Sequence, residues 1–141
     1  MEIKTHTISV NTKGANDVLD ITGEVQKILH DSGLSEGSVL LFVPGSTAGL
    51  TTIEFEPGLL KDYPEFFEKI IPSKLKYHHD ETWDDANGYA HVRASLQGPS
   101  LTVPFSKNKL MLGTWQQIVL IDFDNRSRKR NIIVQLTGSR K

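Results

Sequence analysis

KYHHDETWDDANGYAHVRASLQGPS, residues Lys76 to Ser100, decides where the chain's chemistry sits and what the rest of the fold has to hold. It holds three of the five histidines, together with Asp80, Glu81, Trp83, Asp84, Asp85 and two tyrosines. Its first half shows neither the 3.6-residue period of an amphipathic helix nor the alternation of a strand, so it reads as a long loop. Its second half contains Val92 to Leu96, which reads as a short β-like piece. A loop this rich in ligating and proton-transfer side chains is costly to keep unless something uses it. The rest of the chain then reads as the scaffold that holds it.

Working back from that stretch, Leu59 to Ile71 has the apolar content of a helix, with Leu60, Phe66, Phe67, Ile70 and Ile71. Pro64 belongs to its first turns and Pro72 stops it. Thr51 to Phe55 reads as a strand. Val39 to Val43 is short and continuously apolar, which predicts a strand buried on both faces, ended by Pro44-Gly45. From Asp20, Ile21, Val25, Ile28 and Leu29 mark one helical face, with Asp20 or Thr22 as cap and Gly33 as terminator. Glu2 to Val10 alternates and is rich in β-branched residues, as a strand should be.

Beyond Ser100, β-like pieces follow at Leu101 to Pro104, Leu110 to Leu112, Gln116 to Phe123 and Asn131 to Leu136. Asp124 to Ser127 is read as the turn of a hairpin joining the last two. Two helices among several strands, without a βαβ rhythm, predict an α+β fold in a single domain, residues 1–141. Its core is expected to be mainly antiparallel and β-sandwich-like.

Sixteen basic and seventeen acidic residues leave the chain near neutral, so attraction to nucleic acid or an anionic membrane is not expected. There is no cysteine, hence no thiolate metal site or disulfide, which suits the cytoplasm. The start, MEIKTHTISV, lacks an apolar signal core, and no apolar run is long enough to cross a bilayer.

The chemistry-bearing candidates are few. His79 and His91 are twelve positions apart, a separation that a loop can close around a metal or small ligand. Imidazole serves either as ligand or as proton carrier near neutral pH. His78 and His79 are adjacent; if the backbone is extended they point to opposite faces, so at most one naturally serves a given site. Asp80, Glu81, Asp84 and Asp85 could complete a shell or orient an imidazole. All of these side chains would also be at home in a solvated loop. Gly45-Ser46-Thr47-Ala48-Gly49 follows a buried strand, where Ser46 and Thr47 could cradle a phosphate or simply form a tight turn. Arg128 and Arg130, within the basic run from Arg126, suit phosphate clamping or a charged hairpin tip. Trp115 and Gln116 could give an aromatic wall with an amide donor, or fill core or interface. Glu54 would become a general base if buried in a dry pocket, and stays inert if exposed.

The run Ala90 to Ser100 (AHVRASLQGPS), then Val103-Pro104, then Leu112 to Ile118 (LGTWQQI), resembles the YjbQ-like family, also called the secondary thiamine-phosphate synthase family. Thr47 to Thr51 with Glu54, the Tyr77-x-His79-Asp80 piece and Arg128-Lys129-Arg130 fit the same pattern, so the resemblance spans nearly the whole chain. It implies a YjbQ-like α+β fold that assembles as a homotrimer, with pockets near subunit boundaries. It also implies an enzyme of the thiamine-phosphate synthase type, a transferase acting on a small phosphorylated metabolite. The expected catalytic residues are His91, His79 and Glu54. Ser46, Thr47, Trp115, Gln116, Arg128 and Arg130 are expected to bind substrate. His79, His91 and Asp80 would hold a divalent metal, zinc or magnesium. The chain departs from the pattern at Gly45, where many relatives carry a histidine. A non-catalytic, trimeric metabolite- or metal-binding module is the competing expectation.

Overall fold

In the computed structural model, which describes residues 1–141, the chain begins β1 (Glu2–Thr12), β2 (Asp17–Asp20), α1 (Thr22–Ser32), β3 (Glu36–Phe42) and β4 (Ala48–Ile53). It continues through α2 (Leu59–Ile70), α3 (His78–Trp83), α4 (Gly88–Gln97), β5 (Ser100–Ser106), β6 (Lys109–Leu110), β7 (Gln117–Asp122) and β8 (Arg128–Ser139). Five strands form one antiparallel sheet in the order β1-β8-β3-β5-β6, and three form a second in the order β2-β7-β4. The fold is α+β, with two antiparallel sheets around a shared core as expected.

The layers follow from β7. Its alternate side chains Ile118 and Leu120 enter the main core with Val39, Leu41, Val103, Ile132, Val134 and Leu136 of the large sheet. Val119 and Ile121, with Phe123 just beyond, face the other way. They pack against Phe67 and Ile71 at the end of α2 and Tyr89, Ala90 and Ala94 of α4. The doubly buried strand is therefore β7. β3, expected to be buried on both faces, is not: Val39 and Leu41 point inward, while Leu40 and Phe42 stand exposed on the outer face of the large sheet. A continuous apolar run does not reveal which strand lies in the middle layer.

Two further expectations are corrected. The turn Asp124 to Ser127 closes no hairpin, because β7 pairs with β2 and β4 whereas β8 pairs with β1 and β3. It carries the chain from one sheet to the other. The stretch from Lys76 to Ser100 is largely helical, so there are four helices, and Val92 to Leu96 lies within α4. Its buried residues are Gly88 at the start and then Tyr89, Ala90, Arg93 and Ala94, the spacing of one helical face. Alanine, arginine, leucine and glutamine are strong helix formers, and that propensity outweighs the single β-branched Val92.

Arg93 fixes α4 in place. Its side chain is only 1 % exposed. Nε and Nη2 donate to the Ile71 carbonyl at 3.0 and 2.8 Å, Nη1 donates to Asn16 Oδ1 at 2.9 Å, and Nη2 also pairs with Glu68. α4 is thereby tied to the end of α2 and to the β1–β2 connection. α1 ends as expected at Gly33, whose φ of 73° is the left-handed conformation glycine adopts cheaply.

Candidate functional site

Strand alternation builds one wall of the site. Along β8, Arg128 and Arg130 point inward and Lys129 is exposed, so two of the basic residues leave the surface. They meet two carboxylates, Asp122 and Asp124, both 0 % exposed. Arg130 grips Asp122 with two bonds, Nε to Oδ2 at 2.8 Å and Nη2 to Oδ1 at 2.9 Å. Arg128 Nε donates to Asp124 Oδ2 at 3.0 Å. Thr47 Oγ1 donates to Asp124 at 3.0 Å and accepts from Arg130 Nη2 at 2.6 Å. Thr12 donates to Asp122 at 2.6 Å. Burial alone would raise the Asp124 pKa. Donors from Asn87, the Asn125 N–H and Thr47, together with the charge of Arg128, outweigh it and hold the carboxyl below the usual range.

The facing wall comes from α3 and α4. Their close approach depends on Gly88, where a Cβ would stand 2.6 Å from Tyr77 Cβ and 3.2 Å from His79 Cβ. Asp80 locks the joint, accepting from the Gly88 N–H at 3.0 Å and from the Tyr77 N–H at 3.3 Å. The result is that His79 and His91 stack, ring centroids 4.2 Å apart and planes tilted by 36°. His78 points away and is fully exposed.

Between the walls lies a cavity of about 420 Å³, lined on one side by His79, Trp83, Asp85, Asn87 and His91. Across it stand Gly45, Ser46, Thr47, Asp124, Arg128 and Arg130. Two buried side-chain polar atoms in the chain lack a hydrogen-bond partner, His79 Nδ1 and Asn87 Oδ1, and both residues line this cavity. Asn87 Nδ2 donates to the Asp124 carboxylate at 3.3 Å, which fixes the amide's orientation and leaves Oδ1 as the unused acceptor. Such atoms are rare in folded proteins and are usually explained by an ion, water or ligand.

The expected residues are thus divided. His79, His91, Ser46, Thr47, Arg128 and Arg130 meet in one cavity. Thr47 contributes little beyond backbone there, since its hydroxyl is already committed. Glu54, Trp115 and Gln116 line a separate, open cavity of about 390 Å³ with Thr52 and Thr114. Trp115 is 71 % exposed, and Gln116 is held by Thr52 Oγ1 and the Gly113 N–H. Asp122, Asp124 and Asn87 escaped the sequence reading. The signal was there: two carboxylates at i and i+2 bordering an apolar strand, followed by two arginines at i and i+2.

For a metal, His79 Nδ1 lies 3.5 Å from Asp85 Oδ1 and 3.9 Å from Asp80 Oδ1. Donor atoms of these three residues fall within 4.8 Å of one another, and His91 is outside that group. Asp80 is engaged by two backbone N–H groups, so His79 and Asp85 are the freer ligands. One imidazole with two carboxylates suits a hard, oxygen-preferring divalent ion such as magnesium better than a closed zinc site.

Burial and then the neighbouring His79 hold the His91 imidazole below its usual value, against the opposing pull of Asp124 and Asp85. In chelator-treated protein its ring proton, followed by NMR, should titrate below 6.5. A midpoint at or above that value would contradict the stacked geometry. The unfolded chain takes up this proton first. Stability from His91 is therefore complete above 6.5 and falls as the pH drops from there toward the lowered folded value.

A family model described as UPF0047 protein YjbQ-like matches residues 6–139. The chain is 38 % identical over 128 residues to a UPF0047 protein of Archaeoglobus fulgidus, covering 91 % of this chain and 97 % of that one. It is 32 % identical over 133 residues to UPF0047 protein YugU of Bacillus subtilis, covering 94 % and 98 %. Among solved structures, a hypothetical protein of Aeropyrum pernix superposes with a TM-score of 0.90 at 31 % identity, covering 96 % of this chain and 99 % of that one. A YbjQ-like protein of unknown function from Sulfolobus solfataricus gives 0.86 at 30 %, covering 98 % and 100 %.

Proposed function

Since the chain belongs to the YjbQ-like (UPF0047) family, we propose that the cavity between α3–α4 and β8 binds a small phosphorylated metabolite and catalyses a transfer of the thiamine-phosphate synthase type. One observation carries this reading. The two unpartnered buried polar atoms, His79 Nδ1 and Asn87 Oδ1, line the same space as Arg128 and Arg130.

The arginine wall is suited to phosphate. Arg128 uses only Nε on Asp124, and Arg130 keeps Nη1 free of Asp122, so guanidinium donors remain for a ligand. The Ser46 hydroxyl has no partner within the chain, and the N–H groups of Ser46 and Thr47 are likewise unpaired. Asp122 and Asp124 compensate the arginine charge, so the wall offers directed hydrogen bonds more than net positive potential. A divalent ion held by His79 and Asp85 would supply the missing positive charge to the phosphate oxygens.

In the proposed transfer, the thiazole-phosphate nitrogen forms a bond to the methylene carbon of a pyrimidine diphosphate. The carbon–oxygen bond breaks, and pyrophosphate leaves with the electron pair. Arg128, Arg130 and Ser46 receive the charge developing on the departing oxygen. His91 stands beside that oxygen as hydrogen-bond partner and proton carrier. The acting species is taken as a homotrimer. Leu40 and Phe42 on the outer sheet face, with Met111 and Trp115, supply the exposed apolar surface that self-association would cover.

A second reading, a metabolite-binding module without turnover, draws on Gly45, which places no side chain in the cavity where many relatives are expected to place an imidazole. Purified protein, its mass fixed by light scattering, is assayed with magnesium, the pyrimidine diphosphate and the thiazole phosphate. Product should form, and His91→Ala should lower its rate by about 10²-fold or more. Product no greater than in the variant removes the enzyme reading. Calorimetric binding of either substrate under those conditions leaves the module in its place.

A further inference from the structure

We infer that Gly45 is a specificity-determining residue of this site: it is glycine so that one terminal nitrogen of Arg130 can reach the cavity, which makes the corner beside Ser46 a seat for an oxyanion. The inference rests on the phosphate reading above and adds the position that gives the arginine access.

The backbone does not ask for a glycine here. Gly45 is not among the glycines with positive φ, so its conformation is open to other residues. Space is the constraint instead. A Cβ at position 45 would stand 2.9 Å from Arg130 Nη1, well inside ordinary van der Waals contact. The end of a free arginine would simply swing aside. This one is held: Nε and Nη2 are committed to the two oxygens of Asp122 at 2.8 and 2.9 Å, and Nη2 also donates to Thr47 Oγ1 at 2.6 Å. The guanidinium is planar, so fixing Nε and Nη2 fixes Nη1 as well.

The loop on the other side of the contact is held too. The Val43 N–H donates to the Pro99 carbonyl at 2.9 Å, the Gly45 N–H to the Val43 carbonyl at 3.0 Å, and the Phe123 N–H to the Thr47 carbonyl at 2.9 Å. An added methyl therefore has to strain the buried Arg130–Asp122 fork and displace Nη1. What Nη1 has left to do gives this contact its functional meaning. Both hydrogens of Nη2 are spent on Asp122 and Thr47, whereas Nη1 has no partner within the chain, so its two N–H groups are the unused edge of a side chain only 9 % exposed. Gly45 and Arg130 both line the first cavity, and Gly45 also lines an adjoining one of about 200 Å³ with Ser46 and His91. A guanidinium edge at that junction accepts an anionic oxygen and repels a cation. The position that carries no side chain is thus occupied, by an arginine reaching in from β8.

Inorganic phosphate is the probe, titrated calorimetrically into the magnesium-loaded protein. Gly45→Ala should weaken its binding about tenfold or more, the loss of one charge-assisted hydrogen bond. Gly23→Ala, where a Cβ meets nothing within 4 Å, should leave that affinity unchanged. Two measurements made without ligand keep the route through Arg130 open to refutation. The Arg130 Nε–H resonance should shift in Gly45→Ala. Gly45→Ala should also lower the denaturation midpoint of the unaltered protein, but not that of Arg130→Lys, whose ammonium has no second terminal nitrogen. Equal phosphate affinity with and without Gly45→Ala, an unmoved Arg130 resonance, or a midpoint loss undiminished in the Arg130→Lys background overturns this role of Gly45 alone. Absence of phosphate binding by the unaltered protein removes the phosphate reading and this inference with it.

Discussion

Arg130→Met should lower the unfolding free energy by about 3–5 kcal/mol, because it takes the bidentate partner from the fully buried Asp122 carboxylate. Asp122 and Asp124 are both 0 % exposed, and Arg130 supplies the bidentate partner of the first and stands 3.8 Å from the second. Methionine fills much of the same volume, so the loss reports the missing charge more than a cavity. Adding Asp122→Asn should restore about 1–3 kcal/mol, the coupling expected of groups in one network. Arg140, paired with Glu2 on the surface, is the control whose replacement should barely move the denaturation curve. A loss below about 1 kcal/mol for Arg130→Met would mean that the buried acids are balanced by something other than this guanidinium.

Gly88→Ala should cost about 1–3 kcal/mol, as overpacking does, although alanine is normally the better helix former. The added methyl would stand 2.6 Å from Tyr77 Cβ, so α3 must move away from α4. That motion separates His79 from His91 and opens both to water. The two causes that depress the His91 pKa weaken together, and its titration midpoint should rise toward the ordinary value. Gly23→Ala is the matched opposite case. A Cβ there meets nothing within 4 Å, and the substitution should stabilise by about 0.4–1 kcal/mol. Denaturant titration and histidine NMR measure both effects. If Gly88→Ala leaves stability and the His91 midpoint unchanged, the tight α3–α4 joint is not what holds the imidazoles together.

The regular parts of this fold are legible locally because each carries its own signal. α1 announces itself by Val25 and Leu29 on one face and Gly33 at its end, and β1 by its β-branched alternation. The layer order is not local. Whether Val39 to Val43 or Ile118 to Ile121 lies in the middle depends on what covers the second face, and α2 and α4 cover β7 rather than β3. The same limit hid the site's floor. Asp122 and Asp124 look like a strand end and a turn until Arg128 and Arg130 come back along β8 to meet them. α4 is masked in the sequence for a different reason. Its buried face is built from Tyr89, Ala90, Arg93 and Ala94, and with alanines and a buried arginine in place of large aliphatic residues it shows little hydrophobic period. The pairing of His79 with His91 was readable as a spacing. Trp115 and Gln116, adjacent to them only in motif, occupy another part of a single chain's surface.

The two walls of the cavity differ in how firmly they are held. β7, beneath the acids, is buried from Ile118 through Asp122, whereas α3 is six residues long and contributes no buried residue. Detaching α3 therefore uncovers little apolar area and costs far less than global unfolding, while the strand below stays protected. A ligand of the proposed site would then enter and leave beside His79 as this short segment opens, with the Asp122–Arg130 network below left in place.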